Sequence, residues 1–197
     1  MGTEMFEKNG VAILTPEEYR RLKSFVKPKF QRWLDLLLFT GMRYTEALKF
    51  MHRKELYQPE RRCIFLPHEI DKKAQRAAKE RYIYLSYQGM LAVERFFSFL
   101  DKYKHEHQKP LKYPSYIGMD YNLRQWSKKL GFEYNVTVKS FRKTWESYLT
   151  VSFQDRVALI ALSQGHTDLT SLNHYIQIPF TDDEKRQIQE LVVGWLQ

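Results

Sequence analysis

One cysteine in 197 residues, Cys63, excludes an intrachain disulfide and any zinc site built on several thiolates. Long apolar runs are missing as well. The stretch LDLLLF at 34–39 falls far short of the roughly 20 residues that span a bilayer. MGTEMFEKNG at the N-terminus lacks the apolar core of a signal peptide and the Ser or Thr at position six that myristoylation asks for. No segment repeats, and none is of low complexity. Together these absences set the expectation of a soluble intracellular protein. Acidic residues are in deficit: 23 Asp and Glu face 32 Lys and Arg, a net charge of +9 with a pI near 9.5. The deficit is uneven. Residues 181–197 carry Asp182, Asp183, Glu184 and Glu190 against Lys185 and Arg186, so this tail is −2 and residues 1–180 hold +11. A basic body with an acidic tail points to a polyanionic partner, most simply nucleic acid, or to a basic surface kept for solubility.

The hydrophobic content of 43% is enough for a substantial core in one domain. Residues 1–12 read as a loose lead-in. TPEEYRRLKSFV (15–26) has a cap at Thr15, a proline at the first helical position and Glu18 at the third, which together start a helix. KFQRWLDLLLFTG (29–41) reads as a mostly buried helix ended by Gly41, and Thr45 begins a short one, TEALKF. The clear β signal follows: CIFLPHEI (63–70) and RYIYLS (81–86) are rich in branched and aromatic residues, with the basic stretch DKKAQRAAKE between them. This predicts a two-stranded ribbon with a charged tip, and Pro67 places its first strand at an edge. Further helices are predicted over 87–103, 119–131, 137–149, 155–165 and 181–196, with 104–118 a loop; Thr181 and Glu184 form another capping box. The predicted fold class is mainly α (α+β), a helical bundle with a small antiparallel ribbon.

Several basic positions stand where side chains can be aimed. Arg43, in TGMRYTEAL, lies between a helix-ending glycine and a new helix start. Lys139 and Arg142, in VTVKSFRKTW, are three apart in the first turns of a helix and share a face. Lys72 and Lys73 sit where the ribbon's first strand ends. His166 stands at a helix junction nine positions before Tyr175, in QGHTDLTSLNHYIQI. Singly, each reads as solvated surface or as a histidine bonding a helix end. As a set they fit phosphodiester cleavage without a metal. Two guanidiniums match phosphate oxygens as planar forks. A tyrosine can attack phosphorus once cations or a base activate it, and a lysine can protonate the leaving oxygen. His105-Glu106-His107 reads as a solvated loop rather than a metal site.

The pattern resembles the catalytic domain of tyrosine recombinases, the phage-integrase superfamily. TGMRYTEAL resembles the first arginine box, with Glu46 as its acid three positions on. PHEIDKK resembles the segment that carries the family lysine, at Lys72 with Lys73 the runner-up. VKSFRKTW resembles the second arginine box, and QGHTDLTSLNHYIQI the closing motif. The resemblance implies Tyr175 as nucleophile, Arg43 and Arg142 as the phosphate clamp, and Lys72 as the general acid, with Lys139 and His166 assisting. Lys73, Arg76, Lys79 and Lys143 would bind DNA. It implies site-specific recombination through a 3′-phosphotyrosyl intermediate without metal, nucleotide or other cofactor. The partners it implies are double-stranded DNA and further copies of the chain, monomeric alone and dimeric or tetrameric on DNA, in the cytoplasm at the nucleoid. Alternatives are a non-catalytic DNA-binding protein on the same scaffold, or supercoil relaxation as in type IB topoisomerases. Two departures stand out. Lys139 replaces the histidine that usually precedes the second arginine by three, as in some archaeal viral and plasmid integrases. The match also begins near Leu14, without the core-binding domain that usually precedes it, so the chain is either a piece of a longer protein or a minimal enzyme. The expected organisation is a lead-in over 1–12, a catalytic domain over 13–180 and a C-terminal helix over 181–197. That helix has an apolar face of Ile188, Leu191, Val192, Trp195 and Leu196, which docks on its own domain or, as the family suggests, on a neighbouring protomer.

Overall fold

The computed structural model describes residues 6–8, 10–70, 80–166 and 178–195. Helix α2 (Pro28–Thr40) forms its centre. Every residue from Trp33 to Thr40 is buried, so this helix has no polar face and must be covered on all sides. Helices α4 (Tyr87–His107) and α6 (Val138–Ser152) supply most of that cover. Asp35 is the charged member of the buried run. The Lys23 Nζ and the Tyr19 hydroxyl each lie 2.7 Å from its Oδ1, which compensates the burial of its charge.

Helix α1 (Pro16–Phe25) begins as its capping residues require: Thr15 N–H donates to Glu18 Oε2 at 2.7 Å, and Glu18 N–H to Thr15 Oγ1 at 3.2 Å. Helix α3 (Tyr44–Phe50) leaves α2 through Gly41. Helix α5 (Tyr116–Lys129) starts at the Ser115 cap, and α7 (Val157–Gln164) and α8 (Asp182–Val192) complete the bundle. Residues 104–118 are less of a loop than their composition suggests. The charged Lys104–His107 stretch continues α4 until Gln108 turns left-handed at φ 53°, because nothing before it breaks a helix.

The sheets differ from the expectation in two ways. Ahead of α1, β1 (Phe6–Lys8) and β2 (Val11–Ile13) form an antiparallel hairpin turned by Gly10 at φ 70°; strands of three residues are too short to leave a periodic signal. Leu14 then ties this hairpin to α6, accepting from the Tyr148 hydroxyl at 2.8 Å and donating to Thr144 Oγ1 at 3.0 Å. The second sheet has three strands, β3 (Tyr57–Gln58), β4 (Cys63–Leu66) and β5 (Arg81–Tyr84), in that order and all antiparallel. The expected first strand, β4, is therefore central rather than at an edge. Pro67 follows its last residue, where a missing N–H removes no ladder bond, and His68–Ile70 make a 3-10 turn. The fold class is as expected, mainly helical with small antiparallel sheets.

Helix α8 starts with the second capping box, Thr181 N–H to Glu184 Oε2 at 2.8 Å and Glu184 N–H to Thr181 Oγ1 at 3.2 Å. It lies against α1, α4 and α6 of its own chain, with Ile188, Val192 and Trp195 buried. Beyond it, Tyr87 N–H donates to Val193 O at 2.9 Å, and Trp195 Nε1 donates to Tyr84 O at 3.0 Å. Trp195→Ala should therefore cost about 3–5 kcal/mol in urea-induced unfolding, the usual loss for a buried tryptophan. A loss under about 1 kcal/mol would mean that this segment seats elsewhere.

Candidate active site

Three helix ends meet at one place. α2 ends at Gly41 (φ 62°), whose N–H bonds Leu37 O and Leu38 O. A Cβ there would sit 2.3 Å from Gln164 Oε1 and 2.8 Å from Trp145 Cδ1, so only glycine lets the chains approach this closely. Arg43, two residues on, is the N-cap of α3. α7 ends at Gly165 (φ 68°), and His166 N–H closes that turn on Ala161 O at 2.8 Å. The third element, α6, presents Arg142 from its second turn between these ends. Its Nη1 donates to Gly41 O at 3.2 Å and its Nη2 to Gln164 O, while Arg43 Nη2 donates to Gly165 O at 3.4 Å. Both guanidiniums therefore sit on carbonyls at helix C-termini, where the helix dipole favours positive charge.

Two carboxylates without access to water complete the arrangement. The Glu46 side chain is 0% exposed and that of Glu146 1%. Glu46 Oε1 lies 2.6 Å from Arg43 Nη1; its Oε2 accepts the Arg43 backbone N–H at 2.8 Å and Arg81 Nη2 at 2.8 Å. Glu146 Oε1 lies 2.9 Å from Arg142 Nε and 2.7 Å from His166 Nε2. A carboxylate only accepts, so Nε2 of His166 carries the proton of that bond; Arg142 Nη2 approaches the same nitrogen at 3.3 Å. Burial is the largest influence on both carboxyls and would raise them. The guanidiniums overcome it: Arg81 and Arg43 hold Glu46 below the usual carboxylate range, and Arg142 with His166 does the same for Glu146. Burial also pulls Arg142 below an ordinary guanidinium, with Glu146 opposing. Three arginines against two carboxylates leave one net positive charge, the sign that attracts a phosphodiester.

Arg43, Arg142 and His166 are thus brought together. Lys139 is exposed one turn before Arg142. Lys143 is half-buried, and burial, then Lys8 and Lys139, lower its ammonium against the pull of Glu146. Lys72, Lys73, Arg76, Lys79 and Tyr175 lie outside the described residues. His105, Glu106 and His107 end α4 in an exposed turn, His107 stacked on Tyr103 at 4.0 Å; among the described residues no cluster of three or more His, Cys, Asp or Glu could hold a metal. Two members escape a reading of the sequence. Glu146 carried a signal in its i,i+4 spacing from Arg142 on one helix face. Arg81 carried one in strand alternation, since it falls in phase with buried Ile83 and Leu85.

No family model and no curated protein matches the sequence. Solved structures do resemble the fold. A DNA complex of the Tn1549 transposon integrase superposes with a TM-score of 0.65 at 17% identity, over 93% of this chain and 66% of that one. XerA recombinase gives 0.61 at 14%, over 93% and 66%. The pre-cleavage complex of XerH site-specific recombinase with its difH substrate gives 0.58 at 16%, over 93% and 55%. This chain therefore spans two thirds or less of each of these proteins. What the likeness establishes is architecture: this chain has the fold of the tyrosine-recombinase catalytic domain.

Proposed function

We propose that this chain is the catalytic part of a site-specific tyrosine recombinase or integrase, acting on double-stranded DNA through a 3′-phosphotyrosyl intermediate. The observation that carries the reading is the meeting of Arg43, Arg142 and His166 over two buried glutamates, which fixes two guanidinium forks and an imidazole before any phosphate arrives. A protein that only bound DNA would have no need to bury Glu46 and Glu146 to aim them.

In this reading Arg43 and Arg142 bind the non-bridging oxygens of the scissile phosphate. Tyr175 Oη forms a bond to phosphorus as the bond to the 5′ oxygen breaks; the phenol passes its proton to water, and Lys72 gives one to the departing 5′ oxygen. His166, whose Nε2 is held by Glu146, stands beside Arg142 and assists in proton transfer, and Lys139 adds charge at the first turn of α6. The phosphotyrosyl bond preserves the energy of the broken one, so a new 5′ hydroxyl can reseal the strand without ATP. Residues 13–180 act as the catalytic unit, closed by the C-terminal segment 181–197 that contains α8. Lys143, Lys73, Arg76 and Lys79 bear on backbone phosphates, and strand exchange takes place in a dimer or tetramer assembled on DNA. Lys139 in place of the usual histidine favours a lineage near archaeal viral and plasmid integrases.

The test uses a duplex selected for binding from a randomised pool and then nicked, so that the cleaved end diffuses away and the adduct accumulates. A covalent adduct is expected on denaturing gels, and Tyr175→Phe should abolish it while DNA affinity stays unchanged. An adduct persisting in that variant would falsify the nucleophile, and no adduct from the unaltered protein on any selected duplex would leave a binding module. Arg142→Lys should slow adduct formation by about 10²–10³-fold, as when one preorganised donor is lost, because an ammonium cannot replace the fork. Full activity in Arg142→Lys would rule out the clamp. For the general acid, Lys72→Ala should regain most of its rate on DNA with a 5′-bridging sulfur, whose thiolate leaves unprotonated; no recovery would move the role to Lys73 or Lys79.

A further inference from the structure

We propose that Arg81 is a positioning residue for this chemistry: one guanidinium that fixes Arg43 and the His166 turn relative to each other, and thereby sets the cleavage rate. The inference rests on the cleavage reading above. Arg81 opens β5, immediately after the basic stretch between the strands, and its side chain is 6% exposed. In one direction its Nη2 reaches Glu46 Oε2 at 2.8 Å, the carboxylate whose other oxygen holds Arg43 Nη1 at 2.6 Å. In the other its Nε donates to Ser163 O at 3.3 Å, in the last turn of α7. The side chain also runs along Gly165: a Cβ built there would lie 3.0–3.2 Å from Arg81 Cδ, Nε and Cζ. His166 leaves directly from that glycine, so any shift of Arg81 moves the turn that carries the imidazole.

A guanidinium is needed because two acceptors on different elements must be met by one rigid, planar group. Lysine has a single nitrogen and can meet only one of them. The charges that face Glu46 are Arg43 from the start of α3, Arg81 from β5 and Arg142 from α6, and Arg81 has the strongest pull of the three against burial. Without Arg81, the carboxyl that orients Arg43 is held ionised less firmly. The sign follows: its folded-state value rises, so the Arg43 contact weakens as pH falls through a higher value than before.

The experiment compares the full chain with Arg81→Met and Arg81→Lys on the same selected, nicked duplex. It follows adduct formation against pH and titrates the Glu46 carboxyl by 13C NMR, its resonance assigned with Glu46→Gln. Arg81→Met should cleave about tenfold more slowly or worse, as expected when catalytic groups are misplaced by a fraction of an ångström. DNA affinity should be unchanged, and the acid limb and the Glu46 titration should both move up. Arg81→Lys should bring the Glu46 titration back while cleavage stays slow, because the Ser163 and Gly165 contacts are lost. The inference is overturned if Arg81→Met cleaves like the unaltered protein, or if it slows equally at every pH with Glu46 unmoved. Should Arg81→Met fail to fold, Arg81→Lys decides: slow cleavage with an unmoved acid limb supports the assignment, and a normal rate overturns it. If the unaltered protein forms no adduct, the cleavage reading falls and the catalytic role of Arg81 falls with it.

Discussion

Burying like charges beside one another is the constraint on which this site depends. Arg43 and Arg81 each work against the charge on Arg142, and burial works against it more strongly still. Such a group of cations is stable only if carboxylates stand among them with no water to weaken the attraction. Glu46 and Glu146 do this from two different helices, and the pairing runs in both directions: against burial, Arg81 and Arg43 favour the ionised form of Glu46, and Arg142 with His166 that of Glu146. Removing one partner leaves a buried charge without compensation, which costs far more than the pair contributes. The bonds of both guanidiniums to helix-end carbonyls add a second fixed reference. The geometry of the two guanidiniums is therefore settled by folding, before any ligand arrives.

Much of this arrangement was legible in the sequence because local rules and global need coincide there. The capping boxes at Thr15–Glu18 and Thr181–Glu184 act within one turn of chain, so four residues suffice to find them. Gly41 and Gly165 end helices where a left-handed residue is required, which located Arg43 and His166 at junctions. The misses have the opposite character. β3 and the β1–β2 hairpin have two or three residues per strand and exist by tertiary pairing, which no window of sequence contains. Pro67 was read as belonging to a strand, whereas it lies just past one. Arg81 was read as the first residue of a strand, and only strand alternation marks its side chain as buried rather than solvated. Its partner Glu46 is 35 positions away in the chain.

Strand β5 is one of the two outer strands of its sheet, and outer strands present backbone groups that another chain can pair with. Here that side is occupied. Tyr84 N–H donates to Ser163 Oγ at 3.3 Å and Tyr84 O accepts Trp195 Nε1 at 3.0 Å, while the next residue's N–H turns inward to Arg62 O at 2.9 Å. Two side chains, Ser163 from α7 and Trp195 from the segment after α8, thus take the positions that a fourth strand would fill. The sheet is closed to edge-to-edge growth at Tyr84 without a proline, a bulge or an exposed lysine there. Losing Trp195 would therefore uncover a pairing edge as well as a cavity, and self-association through added strands would follow from the same substitution that loosens the core.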